Sequence, residues 1–167
     1  MYNGLTERAR AIRMVITDCD GVLTDNGVYY GAEGEILKRF SIRDGMGVER
    51  LRTLAGIATG IVTGEQSPSI RRRAEKLGIE ECHLGISDKA AVLQSIACRR
   101  TLPLAAIAYI GDDINDLGAM SLAGLCACPT DALPEVKNRA DFICTQAGGH
   151  GAFREFAELI LAAHIKS

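Results

Sequence analysis

Residues Met14-Val15-Ile16-Thr17-Asp18-Cys19-Asp20-Gly21-Val22-Leu23-Thr24 constrain this chain more than any other stretch. Four mostly apolar residues predict a buried strand. Two carboxylates spaced i, i+2 follow where that strand should end, and Gly21 lets the backbone turn sharply. Period-2 alternation points Asp18 and Asp20 the same way while the strand lasts, and the turn can offset them. Two acids this close resist ionising together unless a cation or a shared proton relieves them. That is the setting for a metal-assisted carboxylate nucleophile with an acid/base partner. An Asp-rich turn after a strand is the bland alternative for this segment taken alone.

Further strand ends carry chemistry in a definite order. Ile57-Ala58-Thr59-Gly60-Ile61-Val62 ends in Thr63-Gly64, and Lys89 follows Ser87-Asp88 near the start of a long helical stretch. Ile107-Ala108-Tyr109-Ile110 ends in Gly111-Asp112-Asp113-Ile114-Asn115-Asp116. Asp-x-Asp, a hydroxyl, a Lys and an acidic cluster, in that order, resemble the haloacid dehalogenase superfamily of phosphohydrolases. The resemblance runs from about Arg13 to the C-terminal helix.

Bulk properties exclude other classes. A chain of 167 residues is predicted to form one domain, 1–167, with a real core. It is 47% hydrophobic with a formal net charge of −2, so nothing points to a nucleic-acid or membrane surface. No apolar run approaches the roughly 20 residues of a membrane span. Met1 to Arg13 reads as a short leading helix without a stretch of signal-peptide length, and the expected compartment is the cytoplasm. The cysteines, Cys19, Cys82, Cys98, Cys126, Cys128 and Cys144, form no C-x-x-C pair and are read as small apolar fillers.

The coarse pattern alternates strands and helices. Val28–Gly31 and Glu35–Ile42 flank the turn-rich Ala32-Glu33-Gly34 as a β-hairpin, assigned to 28–42. A helix is predicted from about Gly47 to Ala55, with Val48, Leu51 and Leu54 on one face. Ser67 and Pro68 suit the start of a helix that stops at Gly78. There follow a short strand at Cys82–Leu84, a helix Lys89–Arg99, strand 107–110, a helix near Asp116–Leu122 and strand Leu125–Cys128. A short helix near Leu133–Asn138, strand Phe142–Cys144, a glycine-rich loop and a helix to about Ile165 complete the chain. This is the pattern of an α/β doubly wound parallel sheet, whose ligands bind at the carboxyl ends of the strands.

The resemblance implies a role for each motif. Asp18 would attack phosphorus and form an aspartyl-phosphate. Asp20 would protonate the leaving alkoxide and then deprotonate the water that releases phosphate. Mg²⁺, which prefers oxygen ligands, would be held by Asp18, the backbone carbonyl of Asp20 and Asp112, with Asp113 and Asp116 completing or orienting the shell. Thr63 and Gly64 would bind phosphate oxygens. Lys89 would add a point charge, anchored by Asp113 or Asp116. Taken alone, Lys89 would read as a solvated helix-start lysine.

Neither the stretch from Asp18 to Thr63 nor that from Lys89 to Asp112 has room for a cap domain. The hairpin, Phe40-Ser41-Ile42-Arg43-Asp44-Gly45-Met46-Gly47 and Gly148-Gly149-His150-Gly151-Ala152-Phe153-Arg154-Glu155 resemble the capless subfamily that dephosphorylates 2-keto-3-deoxy sugar acids. That resemblance implies a ring-like homotetramer in which the hairpin and the tail (148–167) of one subunit wall the next subunit's site. Two substrates compete: 3-deoxy-D-manno-octulosonate 8-phosphate and a nonulosonate (sialic-acid-type) 9-phosphate. Glu65 with Lys76 resembles the nonulosonate enzymes, and His150 stands where octulosonate enzymes often carry Arg or Lys. Arg43-Asp44-Gly45 and Gly151-Ala152-Phe153-Arg154-Glu155 fit the octulosonate pattern, which is the preferred reading.

Within Arg71-Arg72-Arg73 the side chains fan out by about 100° each, so they cannot share one target. Arg73 and Lys76 share a flank at i, i+3 and are candidates for a substrate carboxylate or phosphate, against a solvated face. Signalling receiver domains also combine acids, Thr and Lys around Mg²⁺. In those, however, the acidic pair lies on the first strand and the acceptor Asp on a later one, whereas an acid two residues after the acceptor favours turnover.

Overall fold

The computed structural model describes residues 2–165, so Met1, Lys166 and Ser167 of the expected 1–167 domain lie outside the described residues. Strands β1 (Met14–Thr17), β4 (Ala58–Val62), β5 (Glu81–His83), β6 (Ile107–Ile110), β7 (Leu125–Cys128) and β8 (Phe142–Ile143) form one sheet in the order β5-β4-β1-β6-β7-β8. All of its pairings are parallel. Its strands alternate between two cores. Val15, Ile61, Ala108, Ile110, Leu125 and Ala127 face α1 (Tyr2–Ala11), α2 (Ile42–Ala55), α3 (Pro68–Leu77) and α7 (Ala152–Ile165). Met14, Ile16, Val62, Ile107, Tyr109, Cys126 and Cys128 face α4 (Lys89–Arg100), α5 (Leu117–Leu122) and α6 (Pro134–Arg139). Strands covered on both faces are apolar at nearly every position, which is why β6 and β7 are uninterrupted apolar runs and β1 is broken only by Thr17 at its end.

Between β1 and β4 the insertion consists of the hairpin β2 (Thr24–Gly31) and β3 (Gly34–Phe40) followed by α2, and no cap domain is present among the described residues. The chain winds outward from β1 through β4 and β5, then crosses back to β6, β7 and β8. The reversal lies at β1, and the candidate motifs fall at the carboxyl ends of the strands around it.

Several boundaries differ from the sequence reading. Strand β2 begins at Thr24, not Val28. Helix α2 begins at Ile42, not Gly47, because Ser41 caps it by accepting from the Asp44 N–H at 3.3 Å. Gly45 and Gly47 lie inside that helix where neighbours come close: a Cβ on Gly45 would meet Arg73 Nη2 at 2.5 Å, and one on Gly47 would meet Arg154 Cα at 3.1 Å. The buried face of α2 therefore runs Asp44, Gly47/Val48, Leu51 and Ala55, and Leu54 stays half exposed. Ser67 occupies the N-cap position of α3 without capping it; its hydroxyl donates instead to Glu35 of the hairpin.

The resemblance assigns residues 148–155 to the wall of a neighbouring subunit's site; within their own chain they pack on α2 and on the loop after β1. The Asp44 carboxylate accepts from the Gly151 N–H at 3.2 Å and the Arg154 N–H at 2.9 Å, and Gly149 N–H donates to Val22 O at 2.9 Å. Helix α7 then lies along α2, where Glu158 joins Arg50 (2.7 Å) and Arg154 (2.8 Å).

Candidate active site

The β1 ladder continues one residue past the strand, with Asp18 N–H donating to Ile110 O at 3.0 Å. Asp18 thereby stands between β4 and β6, 5% exposed. Its Oδ1 accepts from Cys19 N–H at 2.7 Å and its Oδ2 lies 3.0 Å from Lys89 Nζ. Cys19 itself points into the core, as expected. Asp20, after the turn begins, has Oδ1 accepting from the Thr24 hydroxyl at 3.0 Å and Oδ2 from Lys38 Nζ at 2.8 Å.

Asp116 is enclosed and organises the far side. Its Oδ1 accepts from Lys89 (2.7 Å) and the Tyr109 hydroxyl (2.6 Å), and its Oδ2 from the backbone N–H of Asp112 (3.0 Å) and Asp113 (3.2 Å). With both oxygens so occupied, Asp116 orients its neighbours and is not a free ligand. Of the two candidate anchors for Lys89, the structure selects Asp116. Asp113 instead accepts from Ile114 N–H at 2.6 Å and caps the short 3₁₀ turn 114–116.

Asp112 differs from Asp116. Its Oδ2 accepts from the Asn26 side chain at 3.2 Å, while its Oδ1 is buried without a partner among the described residues. An orphaned buried carboxylate oxygen costs free energy unless something positive meets it. Asp18, Asp112 and Asp116 bring carboxylate oxygens within 4.8 Å of one another. An all-oxygen set with one orphan fits a hard divalent cation, with Asp18 and Asp112 as its side-chain ligands. The electrostatics agree. Burial, the Asp116 charge and Asp113 push Asp112 up to about 7, and burial with Asp116 raises Asp18 against the pull of Lys89. Burial pulls the Lys89 ammonium down, but Asp18 and Asp116 outweigh it and hold it above its ordinary value.

Thr63 extends β4 by donating its N–H to His83 O at 3.0 Å, and its Oγ1 accepts from Glu65 N–H at 3.3 Å. Asp18, Asp20, Asn26, Thr63, Gly64, Glu65, Asp112, Asp113 and Asn115 line one open cleft of about 140 Å³. The expected catalytic, phosphate and metal residues thus converge, with Lys89 just beneath.

The expected specificity residues divide. Glu65 lines the cleft; Arg43, Arg73, Lys76, His150 and Arg154 do not. Arg73 donates to Ser41 O at 2.8 Å, with its guanidinium 5.6 Å from the Phe40 ring, so it braces α3 against the start of α2. Arg154 pairs with Glu158, His150 Nδ1 meets its own loop at Gly148 O (2.8 Å), and Arg43 and Lys76 are exposed. Sequence reasoning missed Lys38 and Asn26, which act through contacts distant in the chain. It also missed Thr24 and Tyr109, whose partners Asp20 and Asp116 are near in sequence but are met only through the turn geometry.

A family model for haloacid dehalogenase-like hydrolases matches residues 83–155. The 3-deoxy-D-manno-octulosonate 8-phosphate phosphatase of Haemophilus influenzae is 39% identical over 163 residues, covering 98% of this chain and 90% of that protein. The chain belongs to this phosphatase family, within the haloacid dehalogenase-like hydrolases. The cobalt-bound H. influenzae enzyme superposes with a TM-score of 0.92 at 40% identity, covering 96% of this chain and 93% of that one. The Moraxella catarrhalis 3-deoxy-D-manno-octulosonate 8-phosphate phosphatase, in complex with magnesium, phosphate and KDO, superposes with a TM-score of 0.95 at 36% identity, covering 99% and 95%.

Proposed function

We propose that this chain is a Mg²⁺-dependent phosphoric monoester hydrolase that converts 3-deoxy-D-manno-octulosonate 8-phosphate to 3-deoxy-D-manno-octulosonate and phosphate. One observation carries the chemistry: Asp18 and Asp20 lie in one cleft with the orphaned Asp112 oxygen, over the buried Lys89. The relatives supply the substrate. Those named above act on the eight-carbon sugar acid, and none favours the nine-carbon alternative.

In this reading an Asp18 oxygen attacks phosphorus while the bond from phosphorus to the sugar oxygen breaks and Asp20 delivers a proton to that oxygen. Asp20, now a carboxylate, takes a proton from water as the water attacks the aspartyl-phosphate, which regenerates Asp18 and releases phosphate. Lys89 holds Asp18 oriented and offsets phosphoryl charge, and Thr63 with the Gly64 backbone binds phosphoryl oxygens. Mg²⁺, when held by Asp18, Asp112 and the Asp20 carbonyl, neutralises charge that accumulates on the phosphoryl group. Asp113 and Asp116 keep Asp112 and Lys89 in place. Glu65 meets sugar hydroxyls at the cleft mouth, and Lys76 is a tolerated companion.

The whole chain acts as one domain and assembles as a homotetramer in the cytoplasm. Exposed Val28, Tyr29, Tyr30, Ile36 and Leu37 leave apolar surface on the hairpin that neighbouring subunits would cover. In such an assembly Arg43, His150 and Lys76, which avoid their own cleft, are free to meet a neighbour's substrate. Among the described residues no helix is long and apolar enough to cross a membrane.

The test is phosphate release from octulosonate 8-phosphate and a nonulosonate 9-phosphate side by side, with Mg²⁺ and with EDTA. The expected result is a large kcat/KM advantage for the eight-carbon substrate, lost in EDTA. A preference for the nine-carbon substrate would overturn the assignment and make Glu65 with Lys76 the specificity element.

A further inference from the structure

Lys38 is an anomaly on the hairpin. Its β3 neighbours Leu37 and Arg39 are exposed, yet the Lys38 side chain is 4% exposed and folds inward to Asp20 Oδ2 at 2.8 Å. Enclosing an ammonium is costly unless carboxylates meet it. Two do: Asp20, and Glu35 Oε2 at 3.8 Å. Glu35 in turn accepts from the hydroxyls of Ser67 and Ser69, where α3 starts after Thr63 and Gly64. A polar chain therefore links the loop after β1, the hairpin and the loop after β4.

The two oxygens of Asp20 have different partners. A lysine ammonium can only donate, so Oδ2 is held as an acceptor. Oδ1 faces the Thr24 hydroxyl, which can donate or accept and so tolerates Oδ1 with or without a proton. We propose that Lys38 is a positioning residue for the acid/base group: by occupying Oδ2 of Asp20 it aims the carboxyl so that Oδ1, beside Thr24, carries the transferred proton. The proposal deepens the functional reading above and rests on its assignment of Asp20 as acid and base. It makes the seating of the hairpin a condition for protonating the leaving group.

The experiment compares octulosonate 8-phosphate, whose alkoxide must be protonated to leave, with p-nitrophenyl phosphate, whose phenoxide leaves without help. Pre-steady-state and steady-state turnover are measured for the parent, Lys38→Met, Lys38→Arg, Thr24→Val and Asp20→Asn. Lys38→Met should slow product formation from the sugar phosphate by about 100-fold, the scale of a displaced general acid. On the aryl phosphate it should keep a rapid burst of nitrophenol followed by slow turnover, because water activation needs Asp20 too. Lys38→Arg should restore part of the sugar-phosphate rate. Thr24→Val, which keeps the side-chain shape, should show the same split between leaving groups and decides the matter if Lys38→Met does not fold. Equal losses in the pre-steady-state burst of first product from both substrates, or no loss on either, in whichever of Lys38→Met and Thr24→Val is folded would overturn the proposal. Asp20→Asn separates the two levels: full activity on the sugar phosphate would remove the acid/base assignment itself, whereas a leaving-group split in Asp20→Asn alone would remove only Lys38.

Discussion

Lys89 Nζ lies 3.0 Å from Asp18 Oδ2, and both side chains are almost fully enclosed at the carboxyl end of the sheet. The same ammonium reaches Asp116 at 2.7 Å. One cation thus holds together the proposed nucleophile and the residue that orients the Asp112 backbone. Lys89→Met should leave two buried acids without their counter-charge. Removing one partner of a buried ion pair costs roughly 3 kcal/mol, and removing a donor from a charged transition state costs about 100-fold or more in kcat. Urea unfolding of the metal-free protein and phosphate release would read the two effects. Unchanged stability would mean that solvent already screens the pair.

Asp18→Asn should separate chemistry from folding. The amide keeps the shape and can still accept from Cys19 N–H, while the charge that burial and Asp116 disfavour is gone. Turnover should vanish, and the thermal midpoint of the metal-free protein should stay level or rise. Retained turnover in purified protein would remove the covalent mechanism.

The acidic cluster should make stability depend on pH in the absence of metal. Asp112 is pushed up from an ordinary value of 3.8 to about 7, and Asp18 shifts in the same direction. A carboxyl whose folded pKa lies above its unfolded one binds more protons folded than unfolded between those values. Its contribution therefore falls as pH rises from about 4 to about 7 and levels off above that. A divalent cation favours the ionised pair, so the thermal shift produced by Mg²⁺ over EDTA should grow across the same interval. A shift independent of pH would count against Asp112 as a ligand.

Strands β1, β6 and β7 were legible because burial on both faces leaves an apolar run with chemistry at its end. The convergence of Asp18, Asp20, Thr63, Lys89 and Asp112 followed from the motif order. The start of α2 was hidden because Asp44-Gly45 looks like a loop; the N–H groups that satisfy Asp44 come from Gly151 and Arg154, far along the chain. Lys38 was illegible for the same reason, since alternation on a hairpin does not say which side meets Asp20. Arg73 shows the converse. Its flank of α3 was read correctly, but the Ser41 carbonyl already holds its guanidinium.

Asp44 gives α7 a cap from another helix. Asp44→Ala would leave the Gly151 and Arg154 N–H groups without acceptors, at a cost of about 2 kcal/mol. Asp44→Asn keeps one acceptor oxygen and should lose less. Urea midpoints give the order, and Mg²⁺-dependent turnover of the folded fraction should survive, because Asp44 lies outside the cleft. Lost turnover in fully folded Asp44→Asn would place the 147–151 loop in catalysis.

Gly21 ties backbone conformation to the metal site. Its φ is +80°, and a Cβ there would fall 1.9 Å from Asp112 Oδ2 and 2.8 Å from Asn26 Nδ2. The left-handed conformation alone costs an alanine about 1 kcal/mol. The larger consequence is that Asp112 must move, and Asn26 with it, although the core beneath stays as it is. Gly21→Ala should therefore fold while binding Mg²⁺ more weakly, by about 10- to 100-fold, the range seen when the support of a metal ligand is disturbed. Mg²⁺ titrations followed by thermal shift and by phosphate release should show the same displacement, and excess Mg²⁺ should recover part of the rate. Normal Mg²⁺ affinity with lost turnover would instead mean that Gly21 matters through the placement of Asp18 and Asp20, and Asp112 would lose its claim to the metal.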